Sequence, residues 1–160
     1  MTQEISDLSK KQLEMEINRV ALKMKEHFHG DLPKIKHFVR VYTLAKTIGE
    51  LEKLPEEEQE NLELAAVVHD IDGDERIPTL REILDSCGVE PDTAMRVCQI
   101  VENKDNYEHI ASLDHQIFTE ALMIVRFQEE STPADEIVRI AEKRFITNYG
   151  KIFLKRAFDV

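Results

Sequence analysis

His37, His69 and Asp70 stand inside otherwise apolar, helix-like stretches of this chain. Two imidazoles and a carboxylate are the donor types that Zn²⁺, Mn²⁺ and Fe²⁺ take. An ion of this kind lowers the pKa of a bound water and polarises a phosphoryl oxygen. His37 shares a helical face with Val41, Leu44 and Ile48, and His69 shares one with Leu62, Ala65 and Ala66. Both rings are therefore expected to face the core or a pocket within it. A buried imidazole left without a partner costs on the order of 1–3 kcal/mol, so each ring must find a hydrogen bond or a metal.

Adjacent residues of a regular helix point about 100° apart, so His69 and Asp70 can serve one site only if the helix ends between or beside them. The following Asp72-Gly73-Asp74 predicts that end. Asp72, Asp74 and, further along the chain, Asp105 are loop acids that could substitute as a further ligand. Other candidates are less specific. His27 and His29 are two apart and diverge on a helix. His109 and His115 flank a polar stretch without evident partners. Lys34, Lys36, Arg40, Arg76 and Arg81 flank the proposed pocket in sequence, either as phosphate contacts or as a solvated surface with local ion pairs.

The elements that must position these groups read as helices throughout. Apolar residues recur at helical spacing from about residue 8 to 28, ending at Gly30, and from about 32 to 52. A third helix opens at Pro55, with Glu56, Glu57 and Glu58 favouring the positive end of its dipole, and runs to the His69-Asp70 pair. Shorter helices follow from about 78 to 87, stopped by Gly88, and from 91 to 101. The last three cover about 114–130, 134–145 and 149–158, with Thr132 as a cap ahead of Pro133. No strand, repeat or low-complexity tract interrupts the pattern. The fold class is all-α.

With 160 residues the chain is most simply one domain. Residues 1–25 are expected to form an amphipathic helix packing on a domain of residues 26–160. Five Gly and five Pro leave little room for a turn-rich all-β design. Acids outnumber Lys and Arg by 32 to 21, and the resulting charge of -11 makes nucleic acid and anionic lipid poor partners. A small phosphorylated molecule remains compatible, because a pocket can differ in sign from the whole. Cys87 and Cys98 form no zinc-ribbon spacing, and the chain opens without an apolar signal core or membrane span. These features predict a cytoplasmic protein with reduced thiols; the oligomeric state is open.

Over about residues 26–157 the chain resembles the HD superfamily of metal-dependent phosphohydrolases, in particular a branch of small bacterial HD-domain proteins. The stretches that carry the resemblance are HGDLPKIKHFVRVYTLAKTIGELE, LELAAVVHDID, LREILDSCGV, RVCQIVENKDNY, LDHQIFTEALMIV and FITNYGKIFLKRAF. The resemblance implies a single-domain bundle of about six or seven helices with a metal pocket between its central helices. It implies one divalent ion (Zn²⁺, Mn²⁺, Fe²⁺ or Mg²⁺) on His37 as the first histidine ligand and on His69 and Asp70 as the defining pair.

Three departures fall on the chemistry. The family's last ligand is an aspartate in a stretch like Glu-Ala-Asp, whereas this chain has Glu120-Ala121-Leu122. A histidine cluster between a Val and a Tyr is replaced by Glu102-Asn103-Lys104-Asp105-Asn106. The usual Ile-Gly after the pair is Ile71-Asp72. Three protein ligands suffice for many catalytic zinc sites. A 2-His-1-carboxylate set is also that of non-haem iron oxygenases, though the rest of the match points elsewhere. Three readings follow: a phosphohydrolase of a nucleotide or other small phosphate ester, with activity reduced or lost where Leu122 replaces the final aspartate; an inactive HD protein that binds a small ligand or regulates a partner; and a scaffold with hydrogen-bonded core histidines.

Overall fold

A computed structural model describes residues 2–160, with side chains described from Ser9 onward. Met1 and the side chains at the start of the expected 1–25 helix lie outside the described residues. The described chain consists of eight α-helices, joined by loops and one 3₁₀ turn, Tyr107–His109. The helices are α1 (Thr2–His27), α2 (Leu32–Leu51), α3 (Glu56–Val68), α4 (Arg76–Ser86), α5 (Pro91–Glu102), α6 (Leu113–Glu129), α7 (Ala134–Arg144) and α8 (Asn148–Phe158). The protein is all-α. Seven of the eight, α2–α8, lie in the stretch over which the resemblance implies six or seven, and α1 precedes them.

The two central helices can be recognised by composition. From Leu62 to Val68 every residue of α3 is buried, and the apolar run Leu64–Val68 leaves no polar face to turn to solvent. That helix packs against α1, α2, α5 and α6. Burial along α6 is nearly continuous from Asp114 to Val125. The main core joins Ile17, Val20 and Met24 of α1 to Phe38, Val41 and Ile48 of α2 and to the apolar faces of α3–α6. A smaller cluster of Met123, Ile124, Phe127, Ile137, Phe145 and Leu154 fastens α7 and α8 beneath the second half of α6.

Local signals set the ends that matter for the site. Gly30, at φ +74°, turns the chain out of α1. Asp31 caps α2 by accepting a hydrogen bond from the Lys34 backbone N–H, and Pro33 fits the first turn, where no N–H partner is needed. This fixes the start of the helix that carries His37.

Two end assignments differ from the sequence reading. α4 starts at Arg76, two residues before Pro78, because proline is tolerated inside the first turn. α7 has Pro133 as its cap with no side-chain hydrogen bond, so Thr132 does not cap it. Asp135 and Glu136 in the first turn serve its dipole instead.

Candidate metal centre

α3 ends at Val68, and His69 is its C-cap with Asp70 in the turn beyond. The end of the helix is what lets adjacent residues face one point. The last carbonyls of a helix lack intrahelical partners. The His69 ring returns to one of them, its Nδ1–H donating to the Ala66 carbonyl at 2.8 Å. The His69 carbonyl in turn accepts from Lys104 Nζ at 3.1 Å, a cation placed at the negative end of α3.

His37 comes from α2 and meets His69 directly, the two Nε2 atoms lying 3.0 Å apart. Its Nδ1 is 2.7 Å and 3.0 Å from the two carboxylate oxygens of Glu129 at the end of α6. A carboxylate and a backbone carbonyl only accept, so each Nδ1 carries a proton and donates it. With both rings neutral, two Nε2 lone pairs face each other, and either a divalent ion between them or a proton shared by the two nitrogens relieves the repulsion. Two Zn–N bonds of about 2.0–2.1 Å can span the observed separation. The chemistry of the donor set therefore fits a divalent ion.

Asp70 completes the group: one ligand atom from each of His37, His69 and Asp70 lies within 4.8 Å of the other two. Among the described residues this is the sole cluster of three such side chains with metal-holding geometry. The other acids considered for the site are engaged elsewhere. Asp72 pairs with Lys34 at 2.7 Å, and Asp105 pairs with Arg126 at 3.1 Å. Asp74 is exposed and belongs to no such cluster.

Burial governs the electrostatics. His69 is fully buried, and loss of solvent pushes its pKa down to about 3, helped by His37, Lys104 and Arg126. Lys104 is held below the ordinary lysine range by burial, against the upward pull of Asp70 and Asp105. Lys34 is raised, first by its hydrogen bond to Asp72, with Asp70 and Asp31 adding to the effect. Asp70 thus sits within the field of Lys34 and Lys104, and Arg76 and Arg126 lie close enough to repel Lys104. Lys34, Lys104, Arg76 and Arg126 gather near the pair, with Asp72 and Asp105 between them, in a chain of net charge -11.

The wall opposite is apolar. Phe118 of α6 places its ring edge-on to His69 at 5.4 Å between centroids. One turn later on the same face comes Leu122, 1% exposed and part of the main core, and one turn further Arg126, whose charge reaches His69. Leu122 therefore lies on α6 between Phe118 and Arg126, the two residues of that face that act on His69.

Of the basic residues picked from sequence, Lys34 and Arg76 belong to this neighbourhood. Arg40 donates to Gln128 at 2.5 Å, Arg81 pairs with Asp85 along its own helix, and Lys36 is exposed. His115 follows the loop as the third residue of α6, and it is buried. Both cysteines are free and buried.

Sequence reasoning missed Glu129, Lys104 and Arg126 as neighbours of the pair. Glu129 is 92 positions from His37, beyond any local spacing. Lys104 had a signal: it occupies the stretch where the resemblance leads one to expect histidines.

The HD domain family model matches residues 35–144, more than half of the chain and all three clustered residues, so the chain belongs to the HD domain family. Neither curated proteins nor solved structures give a match. The family supports a metal-dependent phosphohydrolase class, and the His-His-Asp group could hold such a metal. No described helix is long and apolar enough to cross a membrane.

Proposed function

We propose that this protein is an HD-type metal-dependent phosphohydrolase of a nucleotide or other small phosphate ester, with His37, His69 and Asp70 as the ligands of one divalent ion. The observation that carries the reading is the pair of Nε2 atoms 3.0 Å apart, each ring holding its other nitrogen toward an acceptor. At such a site a divalent ion supplies acidification of a water molecule and polarisation of a phosphoryl oxygen.

The chain's own groups divide the remaining work. Lys104, fixed by the His69 carbonyl, and Arg126, fixed by Asp105, offer charge to a phosphate beside Asp70. Arg76 and Lys34 extend that field along the rim. Phe118 and Leu122 keep water from the inner side of the histidine pair. A phosphorylated small molecule is attracted locally, while the acidic surface disfavours nucleic acid.

Leu122 supports a second reading, a protein that has lost hydrolysis and binds a small phosphorylated ligand or regulates a partner. An apolar side chain in the core supplies neither a fourth ligand nor a base.

Metal analysis of protein purified without chelator, followed by a phosphatase screen with Zn²⁺, Mn²⁺, Fe²⁺ and Mg²⁺, tests both. About one ion per chain, lost in His69→Ala, together with metal-dependent phosphate release supports the enzyme. Bound metal without turnover favours the second reading. A wild-type protein that takes up none of these ions ends the metal-dependent reading.

A further inference from the structure

On the metal-dependent reading above, position 122 of α6 brings no carboxylate to the site, yet α6 delivers one elsewhere. We infer that Glu129 is the positioning residue of this centre, fixing the His37 tautomer and thereby setting how tightly the ion is held. Both of its carboxylate oxygens lie within hydrogen-bond distance of His37 Nδ1. An acceptor there keeps the proton on Nδ1 and leaves Nε2 free to coordinate; a negative acceptor also raises the donor strength of the ring.

The placement is built into two packed helices. Glu129 follows Leu122 by seven residues, nearly two turns, so α6 carries both on one side. Next to it, Gln128 accepts from Arg40, which lies one turn after His37 on α2. Two side-chain ties therefore join the end of α6 to the metal-bearing part of α2. Only one of them touches a ligand, which makes the other an internal control. Glu129 does not coordinate: its carboxylate is on the far side of the imidazole from Nε2. It acts through His37, where an aspartate at 122 would act on the ion.

The test compares Glu129→Ala, Glu129→Gln and Arg40→Ala with the wild type in two measurements. The first is Zn²⁺ affinity by chelator competition. The second is the His37 tautomer in metal-free protein, from long-range ¹H–¹⁵N spectra at pH 8, where an ordinary imidazole is neutral. Glu129→Ala is expected to weaken Zn²⁺ binding on the order of 10–100-fold and to turn a single Nδ1–H tautomer into a mixture. Glu129→Gln retains an acceptor oxygen and is expected to keep the tautomer and recover part of the affinity. Arg40→Ala is expected to leave both readouts at wild-type values.

An unchanged tautomer in Glu129→Ala overturns the inference. So does wild-type Zn²⁺ affinity in that variant, or an equal loss in Arg40→Ala, which would assign the effect to helix docking. Failure of the wild type to bind Zn²⁺ would instead strike the metal reading, and the tautomer measurement would still decide the role of Glu129.

Discussion

The two halves of α6 handle their acids in opposite ways. In the first half the carboxylates are saturated. Asp114 accepts from Arg96, Ser112, Asn61 and the His115 backbone N–H, and these partners hold its carboxyl below the usual range despite burial. Glu120, fully buried, accepts from Gln116, the backbone N–H groups of Ile146 and Thr147, and the Thr147 hydroxyl. It thereby fastens the segment leading into α8. In the second half Glu129 is partly exposed and meets the His37 ring. The first half spends its acids on architecture; the second leaves one for the site. The number and kind of donors around a carboxylate, rather than its position on the helix, separate the two uses.

That contrast can be broken at several points. The largest effect is expected from Leu122→Asp, which places a carboxylate in the core one turn from Phe118, the ring packed on His69. Without metal it should cost about 4 kcal/mol, the penalty of an unpaired buried charge. With Zn²⁺ present the loss should shrink and metal affinity should rise. Urea melts with and without Zn²⁺ measure both, and an unchanged metal titration would count against Leu122 facing the centre.

Next comes Glu120→Ala, expected to lower stability by about 3 kcal/mol because several buried donors lose their acceptor. Glu129→Ala, the same change nine residues later, should stay within about 1 kcal/mol of wild type, as exposed pairs do. Chemical denaturation of the two variants side by side tests the contrast; equal losses would erase it.

Gly150→Ala probes the Glu120 anchor from its partner. A methyl group at Gly150 would collide with the Glu120 carboxylate and approach Thr147 Oγ1 to 2.6 Å. The expected cost is about 2 kcal/mol, read as a lower thermal midpoint, with metal affinity little changed.

The smallest effect concerns an acid outside both halves. Glu16 of α1 lines a cleft of about 670 Å³ with Arg19, Glu57, Glu60, Glu90, Asp92 and Arg96. Burial, Glu60 and Glu90 raise its pKa to about 7 while Arg19 lowers it. An acid whose pKa is raised in the folded state favours folding at low pH and loses that contribution as pH rises from its unfolded value through about 7. Because the group is half exposed, the change should be on the order of 1 kcal/mol after solvent screening. Glu16→Gln should flatten the stability profile between pH 5 and 8, and an unaltered slope would contradict the shift.

Much of the fold was legible because helix signals are local. Apolar spacing marked the helices, Gly30 and Gly88 marked stops at positive φ, and the polar residues after Asp70 marked the end of α3. Proline was misleading where it sits inside the first turn of α4 or caps α7 by itself. The site was legible as far as its three clustered residues. Its partners were not, since Glu129 and Lys104 reach it only after α6 and α5 pack around α3.

Residue order alone therefore determined a helical chain whose third helix stops at a His-Asp pair, which follows from periodicity and from side-chain chemistry within a few neighbours; only the resemblance to HD proteins marked Leu122 as standing where an acid is expected. Tertiary packing decided that the two Nε2 atoms converge at 3.0 Å, which acids are saturated, and that Lys34 and Lys104 come within the field of Asp70. Those outcomes depend on distances between segments far apart in the chain, which close packing of helix faces fixes and local spacing does not encode.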